Sequence, residues 1–165
     1  MQSSFLSHKE ISLFLPVVNG IREMSEDTRQ VGCIALDRES NIRGHGYNVF
    51  PNNVIKETND DMDEESKSAV EARLVHPDKL LWTGHAEENM VARAASGGCS
   101  LRDTLVVIVG KFPCHVCARM LINAKVSFVV ATRPREGKWL ESNKIAMQMF
   151  LEATVGFMFI DELEP

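Results

Sequence analysis

Cysteine is scarce in this chain. Its 165 residues include only Cys33, Cys99, Cys114 and Cys117, too few and too unevenly placed for a disulfide framework. In a reducing compartment, a close Cys-x-x-Cys pair points instead to metal binding or redox work. Long apolar runs are also missing: no stretch approaches the roughly 20 residues needed to span a bilayer. The segment from Met1 to Glu10 lacks a basic stretch followed by an apolar one, so it does not read as a secretory signal. These absences lead us to expect a cytoplasmic protein with no membrane partner. There is no Gly/Ser-rich or Pro-rich linker and no internal repeat, so we expect one domain over 1–165.

What the chain does contain is ordinary for a globular domain: 44% hydrophobic and 25% charged residues, with enough length for one core. The net charge of −5 is unevenly spread. From Glu57 to Glu71 there are seven acids and one base, Lys67, which leaves the rest of the chain close to neutral. We read the region 56–75 as an acidic insertion on a nearly neutral body. Such a body does not carry the footprint of a protein that grips long nucleic acid.

Residues 8–25 place Ile11, Phe14, Leu15, Val18 and Ile21 at helical spacing, with Pro16 and Gly20 expected to bend or weaken that helix. Residues 31–36 and 42–49 read as a hairpin around the polar turn 37–41. Residues 50–75 read as a long loop with a short helix near 64–74. A helix over 85–96 ends at Gly97-Gly98. The run 105–109 is continuously apolar, as expected of a strand buried on both faces. A helix over 114–124, a strand over 127–131, a helix over 140–153 and a strand over 155–160 complete the pattern. The alternation predicts an α/β fold: a mixed sheet of about five strands between helices, the last three parallel and joined by right-handed crossovers.

The residues with the most chemistry are His85-Ala86-Glu87 and Pro113-Cys114-His115-Val116-Cys117. Cys114 and Cys117, at i and i+3 of a helix start, place both sulfurs on one face. Pro113 suits the approach to that helix, and the positive end of the helix dipole favours thiolates. One imidazole and two thiolates suit zinc, and three protein ligands leave a fourth position for water. Two thiolates cancel the ion's charge, so a nearby base is useful, and Glu87 is two residues from His85. Two alternatives stay open here: a closed zinc site completed by Cys33, Cys99, His115 or His76, and a redox Cys-x-x-Cys. Neither accounts for the carboxylate two residues from His85 or for the proline before Cys114.

H-x-E followed by P-C-x-x-C is the signature of zinc-dependent nucleobase deaminases. With it, the chain resembles the cytidine deaminase-like superfamily and, within it, the deoxycytidylate (dCMP) deaminase group. The likeness extends to Val31-Gly32, Gly46-Tyr47-Asn48 with Pro51, Pro77-x-Lys79, Asn89, Trp139-x-x-Ser142, and Met149-Phe150. The resemblance implies a three-layer α/β/α cytidine deaminase-like fold, a Zn²⁺ cofactor, homo-oligomeric assembly and a pyrimidine nucleotide substrate. It implies hydrolytic conversion of dCMP to dUMP with release of ammonia. His85, Cys114 and Cys117 would hold the metal and Glu87 would shuttle protons. Asn48 would contact the sugar or base, and backbone N–H groups near Ala86 and Cys114 would polarise the reacting atoms. The alternative for Asn48 is a turn-stabilising side chain at a strand end.

If the strands 105–109 and 127–131 are parallel, both end at the zinc edge, and open α/β sheets bind ligands there. Arg133, Arg135 and Lys138 are therefore candidates for a phosphate, helped by Lys79; the other reading is a solvated basic loop. His45 and Cys33 read as strand packing, and Cys99 as a loop or interface thiol. Trp82, Trp139 and Phe112 could be core, pocket wall or base-stacking residues. Rival functions are deamination of another amino-heterocycle, deamination of RNA or single-stranded DNA, and a non-catalytic zinc-binding module.

Overall fold

β-branched and aromatic residues pack well on a pleated surface, and the apolar runs of this chain accordingly pair as strands. The structure, a computed structural model, describes residues 6–163. In chain order the elements are α1 (His8–Glu23), β1 (Gly32–Leu36), β2 (Ile42–Tyr47), α2 (Glu64–Leu74), α3 (Lys79–Trp82), α4 (Ala86–Ser96), β3 (Leu105–Val109), α5 (His115–Asn123), β4 (Phe128–Ala131), α6 (Leu140–Glu152) and β5 (Gly156–Phe159), with a closing 3-10 turn over Ile160–Glu162. The described residues divide into two compact units: residues 6–48 with 85–163, and Val49–Gly84. Among the described residues, no helix is long and apolar enough to cross a membrane.

In the larger unit the sheet order is β2-β1-β3-β4-β5. β1 runs antiparallel to β2 and β3, whereas β3, β4 and β5 are parallel, as the sequence predicted. Alternation along each strand divides its side chains between two faces. Ile34, Leu36, Leu105, Val107 and Val130 face one way and pack with Ile11 and Val18 of α1. Cys33, Ala35, Val106, Ile108, Val129 and Ala131 face the other way. They meet Ala86, Met90 and Ala94 of α4, Ala118 and Leu121 of α5, and Ala146 and Phe150 of α6. The result is three layers, with β3 buried on both faces. A single buried side chain the size of Phe150 contributes roughly 1.5–3 kcal/mol to such a core.

α1 begins on a capping box: Ser7 Oγ accepts the Glu10 N–H, and the Glu10 carboxylate accepts the Ser7 N–H at 2.7 Å. It runs to Glu23 through Pro16 and Gly20. The cap and the burial of Ile11 and Val18 offset the local cost of proline.

Two glycines set the height of the layers. A Cβ on Gly46 of β2 would overlap the Ala86 carbonyl and come within 2.6 Å of the Met90 nitrogen, so glycine lets the first turn of α4 rest directly on the strand. At the exit of β3, Gly110 takes φ +114°, and a Cβ there would overlap the Gln30 carbonyl.

The unit Val49–Gly84 is closed by reciprocal backbone bonds between Val49 and Gly84, at 3.1 and 2.9 Å. Its helix α2 is capped by Asp63, which accepts the Ser66 N–H at 2.7 Å, and occupies the span predicted to be helical within the long loop. The single-turn helix α3 was not predicted. In the same unit, the Arg73 guanidinium lies 4.5 Å over the Trp82 ring. The acids 57–71 lie along the irregular stretch and the first turns of α2, and most are exposed.

Candidate active site

Helix starts leave backbone N–H groups without intrahelical partners, and two such starts build this site. Cys114 caps α5, its Sγ accepting the Cys117 N–H at 3.5 Å. His85 caps α4, and its own N–H donates to Glu88 Oε2 at 3.2 Å. The two caps meet. His85 Nδ1 lies 3.3 Å from Cys117 Sγ and 3.5 Å from Cys114 Sγ, and the sulfurs are 3.6 Å apart. A tetrahedral zinc with bonds of about 2.3 Å to sulfur and about 2.0 Å to nitrogen would hold its sulfurs about 3.8 Å apart and each sulfur about 3.5 Å from the nitrogen. The donor set fits that ion in both chemistry and spacing.

The electrostatics agree with a cation site. Cys114 is lowered to about 3, first because the Cys117 thiol donates to its thiolate and then through His85, with burial opposing. Cys117 is pushed up by that same bond and by burial. His85 is raised, chiefly by its bond to Cys114. A divalent ion would remove the remaining thiol proton and bind both sulfurs as thiolates.

Among the described residues, His85, Cys114 and Cys117 are the His, Cys or carboxylate side chains grouped closely enough for one ion. The other candidate ligands are not part of this group. Cys33 Sγ lies 3.7 Å from Met90 Sδ, and His115 Nδ1 lies 2.8 Å from Ser142 Oγ. Cys99 packs against the apolar core, and His76 belongs to the Val49–Gly84 unit.

Glu87 is outside the donor group yet beside it. It is buried at 4% exposure, with its carboxyl bonded to its own backbone N–H and to the Cys117 sulfur. Burial is the main cause that pushes this carboxyl above the ordinary range.

The loop that carries Cys114 is held from behind by α6. Asn143 Nδ2 donates to the carbonyls of Phe112 and Pro113, at 3.1 and 2.9 Å, and Ser142 Oγ accepts the His115 N–H at 3.1 Å. Phe112 is core rather than pocket wall, its ring 5.8–6.2 Å from those of Phe150, Phe157 and Phe159. The sequence reading missed Asn143. Its signal was a polar residue on the buried stripe formed with Ala146 and Phe150. Asn143→Ala should orphan two buried carbonyls, cost about 1–3 kcal/mol, and weaken zinc binding by about 10–100-fold. Chemical denaturation and competition with a chelator measure the two effects, and wild-type values in both would remove Asn143 from this role.

The remaining candidates divide. Asn48 Oδ1 accepts the Val31 N–H at 2.7 Å and its Nδ2 donates to the Arg29 carbonyl at 3.1 Å, which ties the end of β2 to the start of β1. Ala86 is fully buried in the first turn of α4. Arg133 pairs with Asp161 at 2.8 Å and Glu162 at 2.9 Å, and lies 4.0 Å over the Phe159 ring. Arg135 is exposed between β4 and α6, and Lys79 belongs to the Val49–Gly84 unit.

Lys138 meets a ring that contacts a member of the cluster. Its Nζ lies 5.5 Å from the centre of the Trp139 ring, which stands edge-on to His85 at 6.4 Å. Lys111, not singled out in the sequence, brings its Nζ to the same ring, also at 5.5 Å.

Comparison with known proteins places these features. The family described as the cytidine and deoxycytidylate deaminase zinc-binding region matches residues 11–133. A probable deoxycytidylate deaminase of Caenorhabditis elegans is 33% identical over 119 residues, covering 72% of this chain and 54% of that protein. Deoxycytidylate deaminase of Mus musculus is 31% identical over 121 residues, covering 71% of this chain and 61% of that one. This chain therefore spans little more than half the length of these curated relatives. The dCMP deaminase of the cyanophage S-TIM5, solved with dCMP and dUMP, superposes with a TM-score of 0.67 at 18% identity, covering 92% of this chain and 96% of that one. The three-layer fold is shared with it.

Proposed function

We propose, given that the chain belongs to the family of cytidine and deoxycytidylate deaminases that share this zinc-binding region, that it converts dCMP to dUMP with release of ammonia. One observation carries the reading: a buried carboxyl, Glu87, sits against a cluster of three metal donors that leaves a tetrahedral ion one position for water. The names of the two curated relatives and the nucleotides bound by the phage enzyme support a pyrimidine nucleotide as substrate.

In this reading His85, Cys114 and Cys117 hold the ion. Bound zinc supplies the acidity of the attacking water, although two thiolates temper its charge. Glu87 does the proton work. It takes a proton from the water, gives one to the ring nitrogen and delivers one to the departing amine. The balance closes: the water oxygen becomes the ring carbonyl, one of its protons ends on the ring nitrogen, and the other leaves in ammonia. The first-turn N–H groups near Ala86 and Cys114 polarise the reacting atoms. Asn48 offers the sugar or base the amide hydrogen that the Arg29 carbonyl does not take.

The partner in this proposal is a free nucleotide rather than long nucleic acid. Homo-oligomeric assembly and a cytoplasmic setting, where thiol ligands stay reduced, belong to the same proposal. The test is ammonia release from zinc-loaded protein with dCMP, CMP, deoxycytidine, cytosine and guanine side by side. We expect dCMP to give the highest kcat/KM. Guanine as the best substrate, or no ammonia from any cytosine compound, would overturn the reading.

A further inference from the structure

A helix laid on a sheet puts one face in the core and the other in water, and the water face is normally polar. α1 departs from that rule. Its inner positions, Ile11, Phe14, Leu15, Val18 and Ile21, pack on the sheet face opposite α4 and α5. Its outer positions are apolar as well: Leu13 is 70% exposed, Val17 41% and Met24 56%, with Pro16 and Gly20 exposed among them. No charged residue occurs from Ile11 to Ile21. On the outer side the charges stand at the two ends, Lys9 and Glu10 in the first turn and Glu23 at the last position. A helix that is apolar all round, with a contiguous stripe left bare, is one that something else covers.

We propose that the outer face of α1 docks on α1 of a second copy, in an antiparallel two-fold contact centred between Pro16 and Val17. A two-fold contact uses one patch twice, so the patch must complement itself when reversed. This one does. Leu13 comes to lie over the partner's Gly20, where nothing stands within 4 Å of a Cβ position, so a large side chain enters an open hole. Lys9 faces the partner's Met24, one residue and about 1.5 Å of rise from the partner's Glu23. Two ion pairs thus close the ends of an apolar middle. Neither Lys9 nor Glu23 forms an ion pair among the described residues, and the Glu10 carboxylate is held at 2.7 Å by Ser7 in its own capping box. A parallel pairing would instead set Lys9 on Lys9 and bare Gly20 on bare Gly20. The proposal rests on the homo-oligomeric assembly proposed above and adds the surface that makes it; it does not depend on the reaction.

The test is sedimentation of the zinc-loaded full chain at micromolar concentration. Leu13→Glu should halve the mass of the assembly, because one two-fold contact is lost, and raise its dissociation constant by about 30-fold or more. Gly20→Leu should act in the same direction, although the open space and the better helix propensity of leucine favour it within the single chain. Lys9→Glu and Glu23→Lys should each weaken the contact by about tenfold, and the double exchange should restore it. Each reversal suits the dipole at its own helix end, so a loss reports the contact and not the helix. Circular dichroism and bound zinc should match the wild type in every variant, since these positions are exposed and the zinc helices lie across the sheet.

The surface and the assembly fail separately. If the wild type is an oligomer whose mass and dissociation constant survive Leu13→Glu and Gly20→Leu, the α1 surface is wrong and other faces hold the copies. A double charge exchange that binds no better than either single one would overturn the antiparallel register, and the proposal with it. A wild type that sediments as a single chain would mean that something other than a second copy covers this face, and would overturn both.

Discussion

Replacing Glu87 with glutamine should leave zinc in place and reduce the kcat for dCMP by about 10³-fold, the middle of the range for losing a positioned general acid–base group. That factor corresponds to about 4 kcal/mol of barrier. The amide is nearly isosteric, so it can fill the buried position and keep its contact with Cys117. What it cannot do is accept a proton from water and release it to a ring nitrogen and an amine in turn. The loss should therefore fall on kcat, with KM for dCMP little changed, because Glu87 acts on the reacting atoms rather than on the phosphate or sugar. Metal analysis alongside steady-state kinetics separates the outcomes. A glutamine variant that retains zinc and turns over within about tenfold of the wild type would remove Glu87 from the proton path, since the general-base contribution begins at about 10²-fold.

Why that residue was legible in the sequence, and others were not, follows from the range of each interaction. His85 to Glu87 and Cys114 to Cys117 are local pairs, and helical geometry alone fixes where their side chains point. β3 was readable to its ends because a strand buried on both faces has no polar position to blur it. α1 shows the opposite balance: Pro16 argued for a bent or weakened helix, and the element runs on from His8 to Glu23 with Ile11 and Val18 packed against the sheet. α3 is a single turn with no buried residue, so it left no hydrophobic period to detect.

The substrate side was harder for the same reason. Arg133 looked available, because the acids that engage it lie 28 and 29 residues further on, across two elements. Lys111 drew no attention beside the zinc loop, because its meaning depends on Lys138 and Trp139 arriving from another loop. Asn48 follows β2 with its side chain bonded to the backbone of Val31 and Arg29, 17 and 19 residues earlier in the chain, contacts that no local pattern announces.

Replacing Cys114 with alanine should have the other large effect: loss of zinc and, with it, loss of deamination. Cys114 does two things at once. It is one of three donors within 3.6 Å of one another, and it caps α5 through the Cys117 N–H. Alanine leaves two donors, too few to exclude water from the ion and too few to fix its geometry. The fall in zinc affinity should exceed the about 10–100-fold that losing a supporting group costs, and dialysed protein should retain far less than one equivalent. Loss of the cap adds about 1 kcal/mol of instability on its own, so the variant should also unfold at lower denaturant concentration.

Cys99→Ser serves as the contrast, since Cys99 lies outside the donor group and its substitution should leave zinc and activity in place. Stripping the wild type with a chelator and restoring zinc should remove and return activity, whereas a redox Cys-x-x-Cys would respond to thiol reductants instead. A Cys114→Ala protein that still holds one equivalent of zinc after dialysis would place the metal on other side chains. The buried carboxyl of Glu87 would then have no activated water beside it.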